Sequence, residues 1–418
     1  MRYILKDISN KLSKIDYGHY LFLSGIFFLP SSIFIGILFL LPASIIGSYL
    51  QKKPYLKDPW NYPFIAFGIL ILLSTFLQNF FLTNVYQEIW DPKSSLIGMG
   101  NWLPFIWFFW AFQPYLNLRS KRKTFALILI AGTVPILATG FGQYYFDWTG
   151  PFKTLNGLIT WYQRPIEDPG GLTGLFNNQN YAGSWLNFIW PFCIALFLEE
   201  KNNIFRKIIA FSFLFSIGFA AFLTYSRNAW IGLITSVPII LGKKGITIFL
   251  PIFSIILFLL FFIISPIFDG TLQTNIRALL PEKILLEISQ EGYVGLDTSR
   301  LMIFLSAINL IKSSPLFGIG ASAFTPIFLL ETNFWKGHSH NLFLELSVSY
   351  GLPSSIILFI SIFIILYLSS KKIFITNSAN DISLFDRAFW AALFFFLISQ
   401  LVDIQYFDGR ISIIAWLL

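Results

Sequence analysis

Apolar residues run along this chain in long blocks, near 19–49, 61–82, 101–117, 124–146, 180–198, 204–224, 228–242, 245–268, 341–369, 385–402 and 410–418. About 20 mostly apolar residues are enough for one helix to cross the hydrocarbon core of a bilayer. The first block is too long for one ordinary span, and Pro30, Ser31 and Ser32 fall in its middle. It therefore reads as two short helices with a tight turn, with one tilted, kinked helix as the alternative.

Charge decides between these. With two helices and a cytoplasmic N-terminus, the inner segments hold Arg2, Lys6, Lys11 and Lys14, then Lys52, Lys53 and Lys57, then Arg119, Lys121, Arg122 and Lys123. They continue with Lys201, Arg206 and Lys207, then Lys243 and Lys244, then Lys371 and Lys372, with Arg387 near the boundary. The outer short loops keep only Lys93, Lys153, Arg164, Arg227 and Arg410. One helix would reverse every later loop and turn the basic clusters outward, against the bias that sets membrane orientation. The expectation is an all-α integral membrane protein, a single polytopic domain over 1–418. It has about 12 transmembrane helices and both termini inside. The last block, Ile411 to Leu418, is too short to span.

Composition agrees. Of 418 residues 56% are hydrophobic and 12% charged, with 49 phenylalanines, whereas a soluble domain is about 25% charged. The net charge of +8 follows from the basic inner loops, so nucleic acid is set aside as a partner. Cys193 stands alone in an apolar run, which excludes an internal disulfide and a multi-cysteine metal site. The first apolar run lacks a small-residue cleavage site of signal-peptide type.

Two outer loops are long, 147–179 and 269–340, and long non-random loops are where function concentrates. In the second, Ser299 to Ser313 is amphipathic. Ser299, Ser306, Asn309 and Ser313 share one face, and Leu301, Phe304, Leu305 and Ile308 another, the pattern of a helix lying along a membrane interface.

Of three histidines, His338 and His340 sit together in His338-Ser339-His340-Asn341, where this loop enters a membrane helix. A polar helix cap explains such a cluster; its place below a large outer loop favours function, because imidazole can accept a proton near neutral pH. Arg227 separates two apolar runs with almost no loop, at the side that orientation keeps poor in arginine. Its guanidinium suits phosphate oxygens, and Arg300 supplies a second cation facing the same compartment. Glu345 lies one turn below Asn341 in an apolar helix, where a buried carboxylate is a functional candidate, although near a helix start it also answers the helix dipole. Gly171 to Asn180 reads as a Gly/Asn turn and helix cap. One base and two phosphate-binding cations would suit transfer from a polyprenyl-pyrophosphate lipid.

These residues, in this order, resemble the O-antigen ligase and O-antigen polymerase superfamily of polytopic glycosyltransferases. The matching pieces are Gly174-x-Phe176-x-Asn178-x-Asn180, Leu223-Thr224-x-Ser226-Arg227, and Arg300 followed by Ser314-Pro315-Leu316-Phe317-Gly318-Ile319-Gly320. The fourth is His338-Ser339-His340-Asn341, followed by nine residues and then Gly351. Where the ligase pattern expects Gly, Thr or Tyr three positions later, this chain has Ser354. The resemblance implies a GT-C-like fold and a metal-independent, inverting transfer that needs no cofactor. It would act on the periplasmic face of a bacterial inner membrane, in lipopolysaccharide or polysaccharide biosynthesis. The donor would be an undecaprenyl-pyrophosphate-linked glycan and the acceptor a lipid or a glycan, with membrane lipid around the helices. It implies catalytic roles for His340, Arg227 and Arg300, with His338, Asn341, Glu345 and Asn180 at the substrate. The rival reading is a transporter of the bicarbonate-transporter-like kind. Transporters commonly carry repeats and mid-membrane ionisable groups; no repeat is visible, and the ionisable residues gather at the outer face.

Overall fold

A computed structural model of the protein describes residues 16–80, 89–91, 93–166, 170–265, 268, 270–279, 300–376 and 383–418. Arg2, Lys6, Lys11, Lys14 and Ser299 lie outside the described residues. The protein is a mostly helical membrane protein. Among the described residues six helices are long and apolar enough to cross a bilayer: Ile33–Leu50, Pro59–Phe80, Arg119–Phe146, Gln179–Glu199, Ile204–Leu223 and Leu352–Ile375. Other expected spans are shorter helices, among them Tyr17–Phe28, Arg227–Leu241 and Leu384–Ser399.

The first apolar block forms two helices, Tyr17–Phe28 and Ile33–Leu50. Ser32 caps the second through its hydroxyl, which accepts from Ile35 N at 3.3 Å. Gly25 and Gly36 face Leu40 and Leu29 across the pair, the small residues that let membrane helices approach closely.

The block at 341–369 does not form one helix. It breaks into Leu342–Tyr350 and Leu352–Ser370, with Gly351 between them at φ +86°. Part of the long loop inserts at the break: Ile319 N donates to Val348 O at 2.7 Å and Leu352 N to Pro315 O at 2.8 Å. Backbone freed by the break is thereby satisfied, which a non-aqueous surround demands. The block at 101–117 is likewise two short helices, Leu103–Ala111 and Gln113–Leu116. The last helix, Gly409–Leu417, packs against Leu103–Ala111 with Ile411, Ile413 and Ile414 buried.

The two long loops carry structure of their own. Within 147–179 a small antiparallel hairpin pairs Phe152 with Trp161 and Thr154 with Ile159, a departure from the all-α expectation that among the described residues is confined to this loop. Within 269–340 lie the helices Thr271–Ala278, Arg300–Ser313 and Phe324–Thr332. Arg300–Ser313 buries Ile303, Ala307, Leu310 and Ile311 in a cluster with Phe324, Phe328 and Val348. Leu301, Leu305 and Ile308 stay exposed. The helix thus has a second apolar stripe, docked on the protein, behind the one read from sequence.

Helix Gln179–Glu199 is the centre of the bundle, packed on Ile204–Leu223, Arg227–Leu241 and Leu384–Ser399. At its C-terminal end Lys123 pairs with Glu199 at 2.9 Å, Arg122 with Asp386 at 2.8 Å and Lys121 with Asp16 at 3.8 Å. Twenty-one residues at about 1.5 Å each put its N-terminal end roughly 30 Å away, the thickness of a hydrocarbon core.

Candidate functional site

At that N-terminal end two loops meet. One is His338-Ser339-His340-Asn341; the other joins Leu384–Ser399 to Gly409–Leu417. Leu342 N donates to Gln400 O at 2.8 Å, and the Asn341 side chain donates to Leu401 O at 3.0 Å. Asn341 also caps Leu342–Tyr350 by accepting from Leu344 N at 3.1 Å. It is both a helix start and a clamp between the loops.

The second loop holds its own shape. The Gln400 side chain accepts from Gln405 N at 3.0 Å and Tyr406 N at 3.1 Å, and donates to Gln405 Oε1 at 2.9 Å. Tyr406 stacks on Trp102 with ring centres 4.5 Å apart, and its hydroxyl donates to Asn101 O at 2.7 Å. These bonds hold the carboxylate of Asp403 in place. His340 Nδ1–H donates to Asp403 Oδ1 at 2.8 Å. Asp403 Oδ2 accepts from Asn180 Nδ2 at 3.0 Å and Gln405 Nε2 at 2.8 Å. An ionised carboxylate only accepts, so the proton of a neutral His340 sits on Nδ1 and the lone pair on Nε2.

His340 has φ +54°, a left-handed conformation uncommon outside glycine and found at functional positions. Its backbone is held: His340 N donates to His338 Nδ1 at 3.2 Å, and Ser339 N to Glu345 Oε2 at 2.8 Å. Burial, helped by the neighbouring His340 and opposed by Asp403, lowers the His338 pKa to about 4; His338 is neutral at pH 7. Burial alone would raise the Asp403 pKa. The hydrogen bond from His340 and the charges of both histidines outweigh it, and the net shift is downward.

These groups line a cavity of about 690 Å³. His338, His340, Glu345, Asn180 and Asp403 are all in its wall, with Asn178, Tyr181, Tyr350, Trp335 and Lys336. Arg227 and Arg300 are not. Arg227 opens the helix Arg227–Leu241 and is half-buried. Its turn joins the Gly171–Asn180 segment, because Leu172 N donates to Leu223 O at 2.9 Å, and it joins helix Gln179–Glu199 through Asn187 Nδ2, which donates to Asn228 O at 3.1 Å. Arg300 stands exposed at the start of Arg300–Ser313. Among the described lining residues the only lysine or arginine is Lys336.

The Gly/Asn segment does more than cap. Asn178 caps Gln179–Glu199 by accepting from Asn180 N at 2.6 Å, which turns Asn180 toward Asp403. Phe176 lies under the Arg410 guanidinium, 3.7 Å from ring centre to Cζ. Arg410 also pairs with Asp408 at 2.7 Å and donates to Leu175 O at 3.1 Å. Asp403 is the residue that sequence reasoning missed. It falls at the ragged end of the 385–402 block, and its one available signal was an acidic residue in a short polar loop opposite a histidine pair.

A protein-family model described as O-antigen ligase matches residues 210–360. The match takes in Arg227, Arg300 and His338 to Asn341, and it supports the resemblance to the O-antigen ligase and polymerase superfamily. No curated protein matches the chain. Asn180 and Asp403 lie outside the matched segment, on either side of it.

Proposed function

We propose that this protein is an O-antigen ligase-like glycosyltransferase, moving a glycan from an undecaprenyl-pyrophosphate-linked donor to a lipid or glycan acceptor at the periplasmic face of the inner membrane. The observation that carries the reading is the 2.8 Å bond between His340 and Asp403 in the wall of the cavity. Asp403 fixes the tautomer that leaves His340 Nε2 free to take a proton from the acceptor hydroxyl. As that oxygen bonds to the anomeric carbon, the bond from this carbon to the pyrophosphate breaks, and the configuration inverts. General-base help of this kind is typically worth about 10²–10⁴-fold.

The leaving pyrophosphate needs positive charge, since electrostatic stabilisation there is commonly the largest single effect. Lys336 in the wall and the two arginines singled out by the resemblance, Arg227 and Arg300, are the cations proposed for it. The polyprenyl tail is assigned to the bundle, where an apolar cavity lined by Leu342, Phe359, Phe396, Tyr406 and Trp416 adjoins the His340 loop through Leu342. The basic ion-paired end of the bundle, roughly 30 Å away, supports a cytoplasmic face there and an outer face at the cavity.

The test is glycan transfer by the full-length protein in liposomes, with a polyprenyl-pyrophosphate glycan as donor. The wild-type chain transfers and His340→Ala, inserted in equal amount, loses at least a hundredfold. Undiminished transfer by the variant would overturn the role of His340, and solute uptake with no transfer would favour the transporter reading.

A further inference from the structure

We propose that His338, His340 and Asp403 form a binding site for a borderline-soft divalent cation, of which Zn²⁺ is the type. One ligand atom from each of the three lies within 4.8 Å of the others. Asp403 Oδ1 is 2.8 Å from His340 Nδ1 and 3.9 Å from His338 Nε2. Tetrahedral zinc, with bonds near 2.0–2.1 Å, holds its ligand atoms ~3.3 Å apart. These two separations bracket that value, and the two histidine nitrogens, within 4.8 Å of each other, draw together as the ligands close on the ion.

The surroundings suit a metal as well as the three atoms do. Asp403 Oδ2 is already bound by Asn180 and Gln405, which aims Oδ1 at the histidines and supplies the outer shell that orients ligating carboxylates. The histidine loop is fixed through Ser339 to Glu345 and Asn341, so little ordering remains to be done. All three residues face the cavity, which leaves the fourth zinc position to water, the open arrangement of three-ligand sites. Two imidazoles with one carboxylate select zinc-like ions; magnesium and calcium prefer all-oxygen sets.

Binding has a cost, written in the protons. Zinc on His340 Nδ1 sends that proton to Nε2, and zinc on His338 Nε2 sends its proton to Nδ1. His338 Nδ1 then no longer accepts from His340 N, a bond of 3.2 Å. The site is therefore a reversible one, weaker than closed structural zinc. Occupancy also takes His340 Nδ1 away from Asp403, leaving Nε2 protonated. Zinc binding stands apart from the transfer reading, because it is measured without donor or acceptor.

The experiment titrates Zn²⁺ alone into the purified full-length protein in detergent by calorimetry, with Mg²⁺ in parallel. X-ray absorption at the zinc edge then examines the wild-type complex. One zinc per chain is expected, with first-shell nitrogen and oxygen scatterers fitting two imidazoles, and Mg²⁺ at least a hundredfold weaker. His338→Ala and Asp403→Asn each weaken zinc at least tenfold, while His19→Ala, at a histidine outside the cavity, leaves it unchanged. The absorption spectrum carries the test even where a variant folds poorly. Non-saturable binding, a spectrum without imidazole, equal affinity for Mg²⁺, or unchanged affinity in both cavity variants overturns the site.

Discussion

His340 and Asp403 stand 63 positions apart in the chain and meet at 2.8 Å. The contact is made by two loops that other hydrogen bonds hold in place. Asn341 and Gln400 clamp the loops together, and Gln405 and Asn180 hold the far oxygen of the carboxylate. Replacing Asp403 by Asn keeps the shape but not the charge, and lets the amide donate to Nδ1 and favour the wrong histidine tautomer. Transfer by Asp403→Asn is expected to fall by about 10²–10⁴-fold in turnover, with the donor KM little changed. Steady-state rates on detergent-purified protein check this; a loss confined to KM argues for a binding role instead.

Asn180 donates to the same carboxylate at 3.0 Å. Asn180→Asp places a second carboxyl there, and two carboxylates sharing one site push one pKa strongly up. Activity that needs an ionised Asp403 then demands higher pH, so the acid limb of the pH–rate profile moves upward by about one unit or more. Asn180→Ala lowers the rate without that displacement. Coincident acid limbs for the wild type and Asn180→Asp would sink the idea.

Stability carries a separate pH signature. His338 is lowered from 6.5 to about 4 in the folded chain, so between these values the unfolded chain holds more protons, and stability falls as pH drops. Asp403 is depressed below its ordinary value; its contribution is present above about pH 3.9 and is lost only as pH falls through the folded value. The loss between pH 6.5 and 4 therefore includes a His338 share that Asp403 does not supply. Thermal midpoints measured from pH 7.5 to 4.5 should fall less steeply for His338→Gln than for the wild type. Parallel curves would remove His338 from the account.

Gly351 joins two helices at φ +86°, and a Cβ there would strike the carbonyl of Leu316. Gly351→Ala must move the 314–320 segment or re-form one helix, either of which pulls the histidine loop out of register. A loss on the order of 2 kcal/mol or more is expected from strain plus clash, read as a lower thermal midpoint and lower abundance in the membrane. Wild-type behaviour would mean that the break tolerates a side chain.

Apolar blocks long enough to span a bilayer, the two-helix reading around Pro30, the basic loops and the His338–Asn341 cluster were all legible in the sequence. Each rests on local chemistry: lipid rewards runs of apolar residues wherever they stand, and a turn is written in the residues that make it. The tertiary structure decided the break at Gly351, because a backbone interruption in an apolar run is tolerated only where a distant segment, here 314–320, satisfies the freed groups. It also decided that Asn180 and Asp403 complete the histidine site while Arg227 and Arg300 stay outside the cavity lining. A carboxylate's partner is set by which loops the packed helices bring together, and no local pattern around Asp403 records it.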